Sequence, residues 1–131
     1  MTDSSESHTP LRILVVEDNK DAADSLAMLL RIRCAHRVDV AYTGLQALQT
    51  ANIHRPDVVL LDLGLPGING FQVAEQLRAM PDAEEIVIIA ITGHSQPEIA
   101  DASDAGGIDL HLTKPVDVGQ LLSYLSGRGL N

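Results

Sequence analysis

Glu17, Asp18, Asp62, Thr92 and Lys114 each stand at the end of a short apolar run or one residue past it. Together they offer three carboxylates, a hydroxyl and an ammonium. If the runs are adjacent strands, the carboxylates meet. At ~4 Å, each pair of unit charges would repel by about 1 kcal/mol in water and about 4 kcal/mol at an effective dielectric of 20. Such a cluster calls for a cation. Hard oxygen donors in a small, partly wet site suit Mg²⁺, which takes one or two carboxylates plus a phosphate oxygen, and Mn²⁺ would substitute. An aspartate carboxylate is also a nucleophile toward phosphorus. Phosphoryl transfer needs charge neutralisation and positioning more than covalent help, and a metal, a lysine and a hydroxyl donor supply both. Taken singly, each acid reads as well as a helix cap or turn residue. The joint pattern is what points to chemistry.

The elements that must position these residues are legible as alternating patterns. Five runs read as strands: RILVVE (12–17), VDVAY (38–42), DVVLLD (57–62), IVIIAIT (86–92) and DLHLT (109–113). The first, third and fourth are almost continuously apolar, as strands covered on both faces are, whereas the second and fifth are more polar and read as sheet edges. Between them, Ala23, Leu26, Leu30 and Cys34 mark a helix over 20–34 with Asn19 as its cap. Thr43 can cap a second helix carrying Leu45, Leu48 and Ala51. Phe71, Ala74 and Leu77 stripe a third, 97–105 reads as a short fourth, and Leu121, Leu122 and Leu125 mark a fifth. Strand and helix alternating five times predicts an α/β fold, a parallel sheet wrapped by helices on both faces. Ligands bind such sheets at the carboxyl ends of the strands, where the five polar residues fall.

The chain has 131 residues, 45% hydrophobic and 21% charged, the composition of one ordinary globular domain. Residues 1–10 are polar and read as a disordered leader, 11–127 as the folded domain and 128–131 as a fraying tail. The net charge of -9 opposes attraction to nucleic-acid phosphates and anionic membranes. Two tyrosines, one phenylalanine and no tryptophan leave little for base stacking. The lone Cys34 cannot form an internal disulfide and suits a reducing compartment. No signal peptide opens the sequence and no apolar run approaches the ~18 residues of a membrane helix, so the expectation is a soluble, cytoplasmic protein with neither membrane insertion nor direct nucleic-acid binding.

The segments ILVVEDN, VVLLDLGLPGINGF, IIAITG and HLTKP resemble the receiver domain of two-component response regulators, the family of the chemotaxis protein CheY, over about 11–127. The resemblance implies a flavodoxin-like strand order 2-1-3-4-5. Asp62 would accept a phosphoryl group from the phosphohistidine of a histidine kinase or a histidine phosphotransfer protein. Glu17, Asp18, Asp62 and the backbone carbonyl of Gly64 would hold Mg²⁺, while Thr92 and Lys114 would meet phosphoryl oxygens. It further implies a cis Lys114–Pro115 peptide, and a Gly70 that relieves crowding where the next helix starts. The domain would not be a conventional enzyme, although Mg²⁺-dependent self-phosphorylation from a small phosphodonor and autodephosphorylation are expected. Gly64 and His94, two positions beyond Asp62 and Thr92, would influence how water reaches the phosphoryl group. Its output would be a switch in protein partners through the face of the fourth helix, fifth strand and fifth helix.

This copy departs from the family at His111, where a Tyr or Phe usually turns inward as Thr92 moves. Two readings stand: a switch side chain that could also sense pH, and an ordinary half-exposed strand histidine. His36 and His54 fit no zinc spacing and read as surface residues. Cys34 reads as a small apolar helix residue, and Gly106-Gly107 as a left-handed end to the fourth helix. Two rival classes are weighed. A phosphatase of the haloacid-dehalogenase type would need an acid two residues after Asp62, where Gly64 stands, and a flavodoxin would need a Gly-rich phosphate loop after the first strand. Two contexts remain for the receiver reading, a stand-alone domain and the receiver of a hybrid sensor kinase or longer regulator.

Overall fold

The computed structural model describes residues 11–33, 36–65, 67, 69–93 and 107–130. Strands β1 (Arg12–Val16), β2 (Arg37–Ala41), β3 (Val58–Asp62), β4 (Val87–Thr92) and β5 (Leu110–Thr113) form one sheet in the order β2-β1-β3-β4-β5. All four pairings are parallel. Helices α1 (Lys20–Arg33), α2 (Gly44–Ile53), α3 (Gly70–Arg78) and α4 (Val118–Gly127) pack around it, and a 3₁₀ turn, Ala83–Glu85, leads into β4. The expected order 2-1-3-4-5 is therefore observed, with the two more polar strands at the edges. The fourth helix expected over 97–105, Cys34, Gly106, His94 and the leader 1–10 lie outside the described residues.

Alternation along the strands builds two cores. Ile13, Val15, Val58, Leu60, Val87, Ile89 and Ile91 face α1 and α4, meeting Ala23, Ala27, Leu30, Leu121 and Leu125. Leu14, Val16, Val59, Leu61 and Ile88 face α2 and α3, meeting Ala47, Ala51, Val73, Ala74 and Leu77. Because β1, β3 and β4 lie inside the sheet, both of their faces are apolar, which explains their uninterrupted runs. Alanines at four of the helix contacts let α1 and α2 lie close against the strands.

The helix starts follow the sequence. The Asn19 side chain accepts from the Ala22 amide at 2.9 Å, and Thr43 caps α2 by accepting from Gln46. Asn69 and Gln72 form a reciprocal capping box on α3, and Asp117 caps α4, neither of which the apolar pattern disclosed.

Two expectations need correction. Leu45 is 60% exposed rather than part of the α2 stripe, because Ala47 and Ala51 take the inward positions and Leu48 packs partly beside them. His36 is not a plain surface residue: it is half-buried, and its Nδ1 accepts from the Leu11 amide at 3.0 Å. After α4 the chain continues to Leu130 in hydrogen-bonded turns. The Leu130 amide donates to the Leu125 carbonyl at 2.8 Å and the Gly129 amide to Ser126 at 3.0 Å, while the Leu130 side chain packs on the core.

Candidate functional site

Register brings the polar residues into one row. Val16 pairs with Leu61, so Glu17 and Asp62, the next residues, sit side by side at the carboxyl edge. Asp62 pairs with Ile91 and Thr92 with Thr113, which places Thr92 one step beyond Asp62 and Lys114 just past Thr113. Backbone bonds fix the row: Glu17 N–H donates to Ala41, Leu63 to Ile91, and Lys114 to Thr92.

Glu17 and Asp62 are each only 7% exposed, the two buried charged residues among those described. Two buried carboxylates side by side are costly unless compensated. Lys114 compensates them, with Nζ 2.7 Å from Glu17 Oε1 and 3.1 Å from Asp62 Oδ2. Burial alone would lower the Lys114 pKa, but its hydrogen bonds and charge contacts with Glu17 and Asp62 outweigh that and raise it. Each acid is also held by a backbone donor: Gly64 N–H to Asp62 Oδ1 at 2.8 Å, and Asn19 N–H to Glu17 Oε2 at 3.0 Å.

Oxygen atoms of Glu17, Asp18 and Asp62 all lie within 4.8 Å of one another, with Asp18 exposed at the rim. Three hard anionic donors this close, one of them wet, fit a small divalent ion that retains water. The donor set therefore suits Mg²⁺, although Lys114 already partners two of the three acids. Thr92 is half-buried at the end of β4. The Lys114–Pro115 peptide is cis.

A groove of about 430 Å³ opens over these groups, with Glu17, Asp62 and Lys114 at its polar end and Leu26, Leu29 and Pro115 among its apolar walls. Gly70 shows why the next helix must start with glycine. A Cβ there would lie 2.7 Å from the Asp62 carbonyl oxygen and 2.7 Å from Leu63 Cα, both rigid backbone atoms.

The structure thus assembles Glu17, Asp18, Asp62, Thr92, Lys114, Gly64 and Pro115 at one edge. His94 falls outside the described residues. His111 lies lower on β5, beside Ala90, and its buried Nε2 has no hydrogen-bond partner among the described residues. The resemblance assigns Lys114 only to a phosphoryl oxygen, whereas in the fold its ammonium bridges both acids. Two acids at the ends of neighbouring central strands, with Lys114 at the end of another strand, are the available signal.

A doubly wound parallel sheet with a buried acidic cluster and a lysine at its carboxyl edge defines the class, a CheY-like signalling scaffold. The sequence model described as "Response regulator receiver domain" matches residues 13–126, and the chain belongs to that family, the receivers of two-component signal transduction. The transcriptional regulatory protein KdpE of Mycobacterium tuberculosis is 39% identical over 86% of this chain and 48% of its own length. Protein PilH of Pseudomonas aeruginosa is 34% identical over 88% of this chain and 94% of its own. The chain spans about half the length of the KdpE and MprA relatives it matches. Among solved structures, the receiver domain of a signal transduction histidine kinase from Syntrophus aciditrophicus superposes with a TM-score of 0.80 at 28% identity, covering 92% of this chain and 89% of that one. A CheY-like receiver domain from Methylobacillus flagellatus gives 0.77 at 28%, covering 91% and 98%. No helix among the described residues is long and apolar enough to cross a membrane.

Proposed function

We propose that Asp62 is the phospho-acceptor of this receiver, and that it takes its phosphoryl group from the phosphohistidine of a histidine kinase or a histidine phosphotransfer protein. The observation that carries this reading is the position of Asp62, a buried carboxylate at the floor of an open groove, held between Lys114 and the Gly64 amide. In the transfer, an Asp62 oxygen forms the new O–P bond as the N–P bond of the donor breaks, and the donor imidazole keeps the electron pair. Lys114 holds positive charge beside the developing acyl phosphate, and Thr92 offers its hydroxyl to a phosphoryl oxygen. A divalent ion bound by Glu17, Asp18, Asp62 and the Gly64 carbonyl would supply charge neutralisation for the incoming phosphoryl group.

The new group adds roughly -1.5 to -2 of charge at the sheet edge and biases a pre-existing conformational equilibrium. Output then passes to a protein partner through a face that includes β5 and α4. His111, on the β5 face opposite the one that packs into the α1–α4 core, would take part in that switch. The matching relatives include both half-length and near-full-length matches, so receivers of this kind occur alone and within longer regulators.

Incubation with acetyl phosphate, with and without Mg²⁺, followed by intact-protein mass spectrometry, tests the reading. A phosphate adduct forms on the native chain only with divalent ion and is absent from Asp62→Asn. An adduct that persists in that variant, or forms equally without metal, refutes it. Continuous hydrolysis of unrelated phosphomonoesters would favour a phosphatase instead.

A further inference from the structure

The amino edge of the sheet, opposite the phosphorylation site, carries a second polar arrangement. Leu11, just ahead of β1, donates its amide to His36 Nδ1 at 3.0 Å, and Arg12 donates its amide to Asp57 Oδ2 at 2.8 Å. The backbone closes the same corner, with Arg37 N–H donating to the Leu11 carbonyl and Asp57 N–H to the Arg12 carbonyl, each at 2.8 Å. Two consecutive amides at the start of β1 are thus held by side chains from the approaches to β2 and β3. The Leu11 side chain is packed against the core, so its amide is held in place from both ends.

An imidazole nitrogen accepts a hydrogen bond only while it carries no proton, so the contact requires neutral His36 with its proton on Nε2. Protonation turns Nδ1 into a donor facing another donor. Among the described residues, the Asp57 charge acts on the ring, Arg37 follows His36 in sequence, and the Arg12 guanidinium is turned toward Asp39 at 3.9 Å. We propose that His36 and Asp57 form a proton-operated latch on the start of β1: neutral His36 holds the Leu11 amide, and protonated His36 releases it and turns to the Asp57 carboxylate. In that second position Asp57 shares its oxygens with the imidazolium and loosens its hold on Arg12 as well.

Burial holds the His36 pKa below its ordinary 6.5, with the Asp57 charge pulling the other way. A histidine whose pKa is lower in the folded state stabilises the fold above its unfolded value. That contribution is lost as pH falls toward and through the folded value. The latch is therefore closed at neutral pH and opens on mild acidification, on the edge of the sheet away from Asp62.

Amide hydrogen exchange and side-chain ¹⁵N NMR on the full chain, from about pH 7.5 to about pH 5, a span that brackets histidine titration, test this. The His36 ring is expected as the Nε2–H tautomer at the upper end. Protection of Leu11 and Arg12, relative to Val59 and Leu60 in central β3, falls by about fivefold, the factor one part-buried hydrogen bond allows. Its midpoint coincides with that of the ring. His36→Asn places an amide oxygen where Nδ1 stood and cannot titrate, so its protection stays flat with pH. Asp57→Asn lowers the ring midpoint. Protection that is unchanged while the native ring titrates, or lost equally in His36→Asn, overturns the latch.

Discussion

Replacing Lys114 with methionine removes a charge but keeps much of the side chain's bulk, and the consequences can be worked from the site. Glu17 and Asp62 are then left side by side, nearly buried, with carboxylate oxygens within 4.8 Å. At that separation and an effective dielectric of about 20, the pair repels by about 3.5 kcal/mol. Lys114 is 37% exposed, so solvent screens part of what it contributes, and we expect about 2 kcal/mol of lost stability at pH 7 without divalent ions. Because Lys114 and a divalent cation compete for the same two acids, the variant should bind Mg²⁺ about tenfold or more tightly, and Mg²⁺ should restore stability by mass action. Urea unfolding followed by circular dichroism measures this in a chain that has no tryptophan. Native stability without metal, or Mg²⁺ binding no tighter than in the native chain, would refute the view that Lys114 neutralises this acid pair.

Two further substitutions separate packing from propensity. Gly70→Ala puts a methyl 2.7 Å from the Asp62 carbonyl, so urea unfolding should show about 1–3 kcal/mol of destabilisation despite alanine's better helix propensity. Stabilisation would show that the start of α3 can yield. Arg78→Lys should cost about 2–3 kcal/mol in the same assay, since the guanidinium of Arg78 bonds the carbonyls of Ala83, Ile86 and Gly107 and the Asp109 carboxylate at 2.6 to 3.0 Å, a fork that a lysine cannot reproduce. A cost below about 0.5 kcal/mol would mean that those carbonyls find water instead.

Strand positions were readable to within a residue because three of the five strands are buried on both faces and write themselves as unbroken apolar runs. Helix stripes were read less well. Spacing alone puts Leu45 inward, yet the small Ala47 and Ala51 occupy the contact, because close approach of α2 to the sheet favours small side chains over large ones. His36 is illegible for a different reason: its part-buried setting depends on a hydrogen bond from the Leu11 amide, a backbone donor that periodicity does not mark.

The sequence by itself determined that strand and helix alternate, that the polar residues fall at the carboxyl ends of strands, and which residues those are. Strand ends are local facts, set by where an apolar run meets a turn. Only the tertiary structure decided that Glu17, Asp62 and Lys114 touch. The order of strands in the sheet and the register between β1, β3 and β4 are properties of pairing across the chain. Those pairings also bury Glu17 and Asp62 together, so that they need a partner cation, and Lys114 is the one the fold provides.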